Sequence, residues 1–239
     1  MNLVVDAGNT RFKVGAFDHT QLIRKEFFTH EMDLKKFIEE NSYDHILVSS
    51  VKFDPAEILS WSSSIGKKIV LTSSLQLPIK LAYATPYTLG VDRIAAACGA
   101  MLLFPNRDCL VIDAGTCINY EFVDCHKIYH GGAISPGISM RFEAMHAFTS
   151  KLPLVTSVSE SNLIGDSTES CMQSGVMNGV LAEVTEIIQR YKDLYPEIHV
   201  ILSGGDHSFF EKNLKHPIFV APDLVFNGLN GILLYHVEL

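Results

Sequence analysis

The sequence predicts an α/β protein made of two related domains, and three observations carry that reading. An apolar run ending in Asp-Ala-Gly occurs twice, as Leu3-Val4-Val5-Asp6-Ala7-Gly8-Asn9-Thr10 and, 107 residues later, as Leu110-Val111-Ile112-Asp113-Ala114-Gly115-Thr116-Cys117. Each copy is followed by a second β-like run, at 12–17 and 118–123, and each of those by an acid, Asp18 or Asp124, where a turn belongs. Beyond these hairpins, short apolar runs alternate with helical stretches, the pattern of a mixed, mainly parallel sheet with helices on its faces. A spacing of 107 residues is too long for a solenoid repeat, which runs at about 20–50. The expected domains are therefore 1–107 and 108–239.

The elements follow in order. After the first hairpin the apolar pattern gives a third strand at 21–28 and a helix near 31–40. The run His45-Ile46-Leu47-Val48-Ser49 reads as a strand over 45–50, followed by a helix near 54–63 and a strand at 68–71. A Pro-rich loop then leads into a helix from about 91 to 104. In the second half a strand near 126–135 and a helix at 137–148 precede a loop around Pro153. A long helix at 167–192, the strand His199-Val200-Ile201-Leu202-Ser203 and a helix after Pro222 complete the chain.

Composition narrows the function. The 239 residues are 47% apolar with 19 Lys and Arg against 27 Asp and Glu, which describes a folded chain with its own core rather than a disordered one. A net charge of −8, with no Lys/Arg run longer than two, argues against nucleic acid, whose binders need a basic stripe to displace phosphate counterions. It does not exclude an anionic small ligand, which loop amides and a bound cation can hold. The longest apolar helical stretch, 94–104, is about half the ~20 residues of a bilayer span, so no membrane is expected. The start of the chain lacks a basic, cleavable leader, and the five cysteines are odd in number without Cys-x-x-Cys spacing. Cytoplasmic and reduced is the expectation.

The chemistry concentrates in the loops. Gly8 permits a tight turn whose amides point at one spot and can cradle phosphate oxygens. Asn9, Thr10 and Lys13 add donors, while Asp6 is placed to hold a cation or its water. One such hairpin is ordinary turn chemistry; two in matched positions suit a nucleotide clasped between two domains. Other candidates fall away. Ser49-Ser50-Val51-Lys52 fits Ser-x-x-Lys but lacks its companion elements, and His126 and His130 lie on a strand-like segment, so both read as surface residues. Neither a Walker-type Gly-Lys-Ser/Thr loop nor a Gly-x-Gly-x-x-Gly fingerprint occurs.

The duplicated hairpins resemble those of the acetate and sugar kinase, heat-shock chaperone and actin superfamily. Four further segments sharpen the likeness. Tyr83-Ala84-Thr85-Pro86-Tyr87-Thr88-Leu89-Gly90-Val91-Asp92-Arg93 is similar to the Tyr…Pro-x-x-Leu-Gly-x-Asp-Arg signature of type III pantothenate kinases. Gly131-Gly132-Ala133-Ile134-Ser135-Pro136-Gly137, Gly165-Asp166-Ser167-Thr168 and Ser203-Gly204-Gly205-Asp206 resemble that family's later motifs, in family order. Cys117, Asn119, Asp166 and Ser167 depart from its usual residues.

The resemblance implies two duplicated actin-like (ribonuclease H-like) domains, each a mixed sheet flanked by helices, with a nucleotide cleft between them. It implies ATP-dependent phosphorylation of pantothenate to 4′-phosphopantothenate, the first step of coenzyme A synthesis, with Mg²⁺ and a monovalent cation, K⁺ or NH₄⁺. By resemblance Asp6, Ala7, Gly8, Asn9, Thr10, Arg11, Phe12 and Lys13 form the first ATP loop and Thr116 contacts ATP from the second. Asp113 takes the place of the cation ligand and Asp92 that of the catalytic base. Tyr83, Gly90, Val91, Asp92, Arg93 and Thr168 take those of the pantothenate contacts. The family also implies a homodimer. Two other readings of the same fold are a non-catalytic nucleotide-binding regulator and a kinase or phosphatase acting on another small molecule.

Overall fold

The computed structural model describes residues 1–8, 11–50 and 52–239; Asn9, Thr10 and Val51 lie outside that description. The chain divides into two compact units. The first takes in residues 1–106, 123–130 and 223–239, and the second 107–122 and 131–222.

The first unit is built on a five-stranded sheet of order β3-β2-β1-β4-β5. Its strands are β1 (Asn2–Ala7), β2 (Phe12–Asp18), β3 (Gln21–Phe28), β4 (His45–Ser50) and β5 (Lys68–Val70). β1, β2 and β3 pair antiparallel, whereas β4 and β5 continue from β1 in parallel. β1 is buried at every position because both sheet faces are covered, which is why its sequence is a continuous apolar run rather than an alternating one. Leu3, Val5 and Ala7 pack with Leu34, Phe37 and Ile38 of α1 (Glu31–Glu39) and Ile58 of α2 (Pro55–Ser60). α3 (Val91–Leu103) lies against α7 (Leu224–Glu238), and α7 packs on β1, β2 and β4. Asp54 caps α2 by accepting the Ala56 amide, with Pro55 at the first helical position, where its missing N–H costs nothing. A two-residue strand, β6 (Lys80–Leu81), pairs with Ile128 and Tyr129.

The second sheet runs in the order β11-β10-β7-β8-β9, with strands β7 (Cys109–Ala114), β8 (Cys117–Val123), β9 (Ile128–Pro136), β10 (His199–Ser203) and β11 (Phe219–Val220), of which all but residues 123 and 128–130 fall in the second unit. β10 runs parallel to both β7 and β11. Leu110, Ile112 and Ala114 of β7 and Ile118, Tyr120 and Phe122 of β8 form one core with α4 (Ile138–Phe148), α5 (Thr168–Leu194) and α6 (His207–Asn213). The predicted long elements are all present, with ends shifted by a few residues. β6, β11, α6 and a single 3-10 turn at Pro86–Thr88 are additions.

Candidate active site

In the first unit the site grows from the C-terminal end of β1. Asp6 is 4% exposed, lies opposite Lys13 across β1–β2 and opposite Ser49 across β1–β4, and its carboxylate is 3.2 Å from Lys13 Nζ. Burial pushes the Asp6 carboxyl above its usual value; Lys13 pulls it back and the charge of Asp92 raises it further. Asp92 is thus close enough to be felt by Asp6, and a cation would relieve both carboxylates. Ser49 Oγ is fully buried and faces the Asp6 carboxyl, whose charged form it favours. Asp6 and Ser49 together offer hard oxygen donors, which suit Mg²⁺ or a water it carries.

The rest of the first loop divides by side chain. Gly8 is half-buried at the loop, while Ala7 and Phe12 belong to the core, Phe12 with its ring centroid 4.5 Å from that of Phe53. Arg11 is exposed and stands over the Phe27 ring. Asn9 and Thr10, the two donors expected at the tip, lie outside the described residues.

Asp92 and Arg93 occupy the first turn of α3, for which Gly90 is the N-cap. The Arg93 amide donates to Asp92 Oδ1 at 2.9 Å, fixing the carboxylate at the positive end of the helix. A Cβ on Gly90 would sit 2.5 Å from that same oxygen, so glycine leaves the room the carboxylate occupies. The Arg93 side chain is 8% exposed and its guanidinium stands 5.9 Å from the Tyr83 ring centroid. Tyr83, Gly90, Val91, Asp92 and Arg93 are all brought together on this unit, beside Asp6.

In the second unit the corresponding hairpin turns at Gly115 and Thr116, between β7 and β8. Asp113 is half-buried and faces the buried Ser203 in the β7–β10 register, and Thr116 is exposed at the tip. The oxygen donors of Asp113 and Ser203, with no sulfur or imidazole among them, suit a hard cation. Two glycine turns grip the hairpin. The Gly137 amide donates to the Thr116 carbonyl at 3.1 Å, and a Cβ there would come within 2.0 Å of the Gly115 oxygen. Gly204, at φ +89°, lies so close that a Cβ would meet the Ala114 oxygen at 2.2 Å, and the Asp206 amide donates to that oxygen. Burial raises the Asp206 carboxyl, while His207 beside it acts the other way.

Thr168 is the first residue of α5 and is exposed. Ser167 is the cap: its hydroxyl accepts the Ser170 amide, and Ser170 Oγ accepts the Ser167 amide in return. The helix start is therefore held by Ser167 and Ser170, not by Thr168. Thr168 opens onto a cleft of about 740 Å³ with Asp166, Ser167 and Cys171 on its polar side and Met145, Leu152 and Met172 on its apolar side. His130 Nε2 meets Asp124 at 2.8 Å, and His126 is exposed nearby. Among the described residues, no three His, Cys, Asp or Glu side chains gather as a metal cluster, and no helix is long and apolar enough to cross a membrane.

A family model described as type III pantothenate kinase matches residues 2–190. The chain is 41% identical over 237 residues to a type III pantothenate kinase of Cytophaga hutchinsonii, covering 99% of this chain and 100% of that one. Among solved structures it superposes on a protein assigned to the Baf family of transcriptional activators from Campylobacter jejuni, with a TM-score of 0.62, 23% identity and coverage of 99% and 100%. It also superposes on a glucokinase from an Antarctic psychrotroph, at a TM-score of 0.53, 12% identity and 98% coverage of each chain. These two structural likenesses are of fold, and they match the expected class of mixed α/β sheets flanked by helices.

Proposed function

The chain belongs to the type III pantothenate kinase family, and from that membership we propose that it transfers the γ-phosphoryl group of ATP to pantothenate with Asp92 as general base. The observation that carries the proposal is the anchored carboxylate at the start of α3. Asp92 Oδ1 takes the Arg93 amide, leaving Oδ2 for the primary hydroxyl of pantothenate. As that oxygen attacks the γ-phosphorus, its proton passes to Asp92, the new P–O bond forms, and the bond to the β-phosphate oxygen breaks to release ADP. Phosphoryl transfer needs mainly alignment and charge neutralisation, so a well-placed carboxylate and a set of phosphate donors suffice.

The first hairpin and the Gly115-Thr116 tip are the proposed phosphate holders, the second with its backbone held through the Thr116 and Ala114 carbonyls by the Gly137 and Asp206 amides. Arg93 is suited to the pantothenate carboxylate because a guanidinium pairs bidentately with such a group. Tyr83 flanks it, and Thr168, free of capping duty, is the proposed further substrate contact. Mg²⁺ would be held through Asp6 and the ATP phosphates, and K⁺ or NH₄⁺ through Asp113. These ions would offset the repulsion between ATP and an acidic protein. A homodimer located in the cytoplasm completes the proposal. It is supported by four large apolar side chains exposed on one stretch of the second unit, Phe148, Leu154, Leu163 and Ile164.

The test is ATP consumption with and without pantothenate, at matched ionic strength in potassium and in sodium salts. Pantothenate-dependent turnover that requires potassium is expected. Turnover indifferent to the cation would remove the role given to Asp113, and ATP binding without turnover would point to a regulator or another acceptor.

A further inference from the structure

The second unit contains a half-buried polar relay that the proposed mechanism does not use. Arg141, on the first turn of α4, spends three N–H groups on protein acceptors: Nε on the Pro136 carbonyl at 2.9 Å, and Nη2 on Ser135 Oγ at 2.9 Å and on Glu183. Glu183 lies midway along α5, and its other oxygen accepts the hydroxyl of the fully buried Tyr120 at 3.0 Å. The two charged side chains are 21% and 26% exposed, so their attraction is less screened than that of a surface pair. Burial alone would raise the Glu183 carboxyl, yet Arg141, Ser135 and Tyr120 together hold it below its usual value.

What the relay fixes is the turn from Ser135 to Gly137. Gly137 is the residue whose amide holds the Thr116 carbonyl, with no room for a side chain against Gly115. Side chains from two helices are thus tied, through one turn, to the tip of the second hairpin. With so many of its five donors turned to protein acceptors, Arg141 is poorly placed to act as a phosphate ligand itself.

We infer that Arg141 and Glu183 are positioning residues for the ATP-holding hairpin, acting through the Ser135–Gly137 turn. The inference rests on the reading that this hairpin holds ATP phosphates. Thr168 lies fifteen residues before Glu183, about 22 Å along the helix, so the pantothenate contact is not expected to move with the relay.

The experiment compares Arg141→Met, Arg141→Lys and Glu183→Gln with the wild type. The readouts are KM for each substrate, kcat, and the rise in Tm produced by ATP without pantothenate. Arg141→Met is expected to raise KM for ATP about tenfold, the equivalent of one charge-assisted hydrogen bond. KM for pantothenate and kcat should stay within about threefold, because the loss falls equally on ground and transition states. Arg141→Lys should recover part of the affinity, and Glu183→Gln, which keeps the Tyr120 acceptor, should show a smaller rise. A folded Arg141→Met with unchanged KM for ATP and an unchanged ATP-induced Tm rise overturns the inference. So does an equal loss for both substrates, which marks a merely structural role. If Arg141→Met does not fold, Glu183→Gln decides on the same criteria. If the wild type binds ATP but does not phosphorylate pantothenate, the proposed function fails, while the ATP-induced Tm rise still decides the relay.

Discussion

Asp6 shows what the site costs the fold. Its carboxylate is almost wholly buried at the end of β1, and among the described residues Lys13, with a smaller part from Ser49, offsets the loss of water without cancelling it. A carboxyl raised in the folded state favours the protonated form there. Its ionisation therefore withdraws stability as pH rises from the unfolded value of about 3.9 through the folded one. At neutral pH the charge is a net burden, so Asp6→Asn should raise Tm at pH 7 and lose that advantage near pH 4, while weakening ATP binding. Thermal melts at the two pH values check this; a variant less stable than wild type at pH 7 would show that the Lys13 pair outweighs burial. Asp6 and Asp92 stand out in the sequence because one sits in a duplicated hairpin and the other in a segment similar to a family signature. Ser49 does not. Its run fits an unrelated Ser-x-x-Lys pattern, and only strand register reveals that it faces Asp6.

At the level of elements, the start of α5 assigns capping to Ser167 and leaves Thr168 exposed beside it. In Gly165-Asp166-Ser167-Thr168 any of three side chains could cap a helix, and only the backbone at Ser167, extended before the first turn, selects one. Ser167→Ala should therefore cost about 1 kcal/mol, or some 2–4 °C in Tm for a chain of this size. Thr168→Ala should leave Tm within error and raise KM for pantothenate. The reverse pattern, with Thr168→Ala lowering Tm and leaving KM alone, would return Thr168 to a structural role. Long elements were predictable because a helix or strand of six or more residues shows its period. β6 and β11, of two residues each, show none; they form because a neighbouring strand edge is available. The relay from Tyr120 to Arg141 was equally hidden, since its members lie on three elements and meet only after folding.

For the molecule as a whole, the duplicated hairpin was the most informative feature of the sequence, because it announces two related units where composition allows one domain or two. The return of the last helix, α7, to the first unit carries no such sign, since its apolar face fits any sheet. The exposed Phe148, Leu154, Leu163 and Ile164 give the proposed homodimer a specific expectation. Sedimentation should show a dimer, and Phe148→Glu with Ile164→Glu should shift it to monomer; an unaltered dimer would place the interface elsewhere. Synthesis of 4′-phosphopantothenate with Asp92 as base is tested by following that product by mass for the wild type and Asp92→Asn. Product is expected from the wild type and a kcat lower by about 10²–10⁴-fold in the variant, the usual worth of a general base, with ATP still bound. Near-normal turnover by Asp92→Asn, or no phosphorylated pantothenate from the wild type, would contradict it.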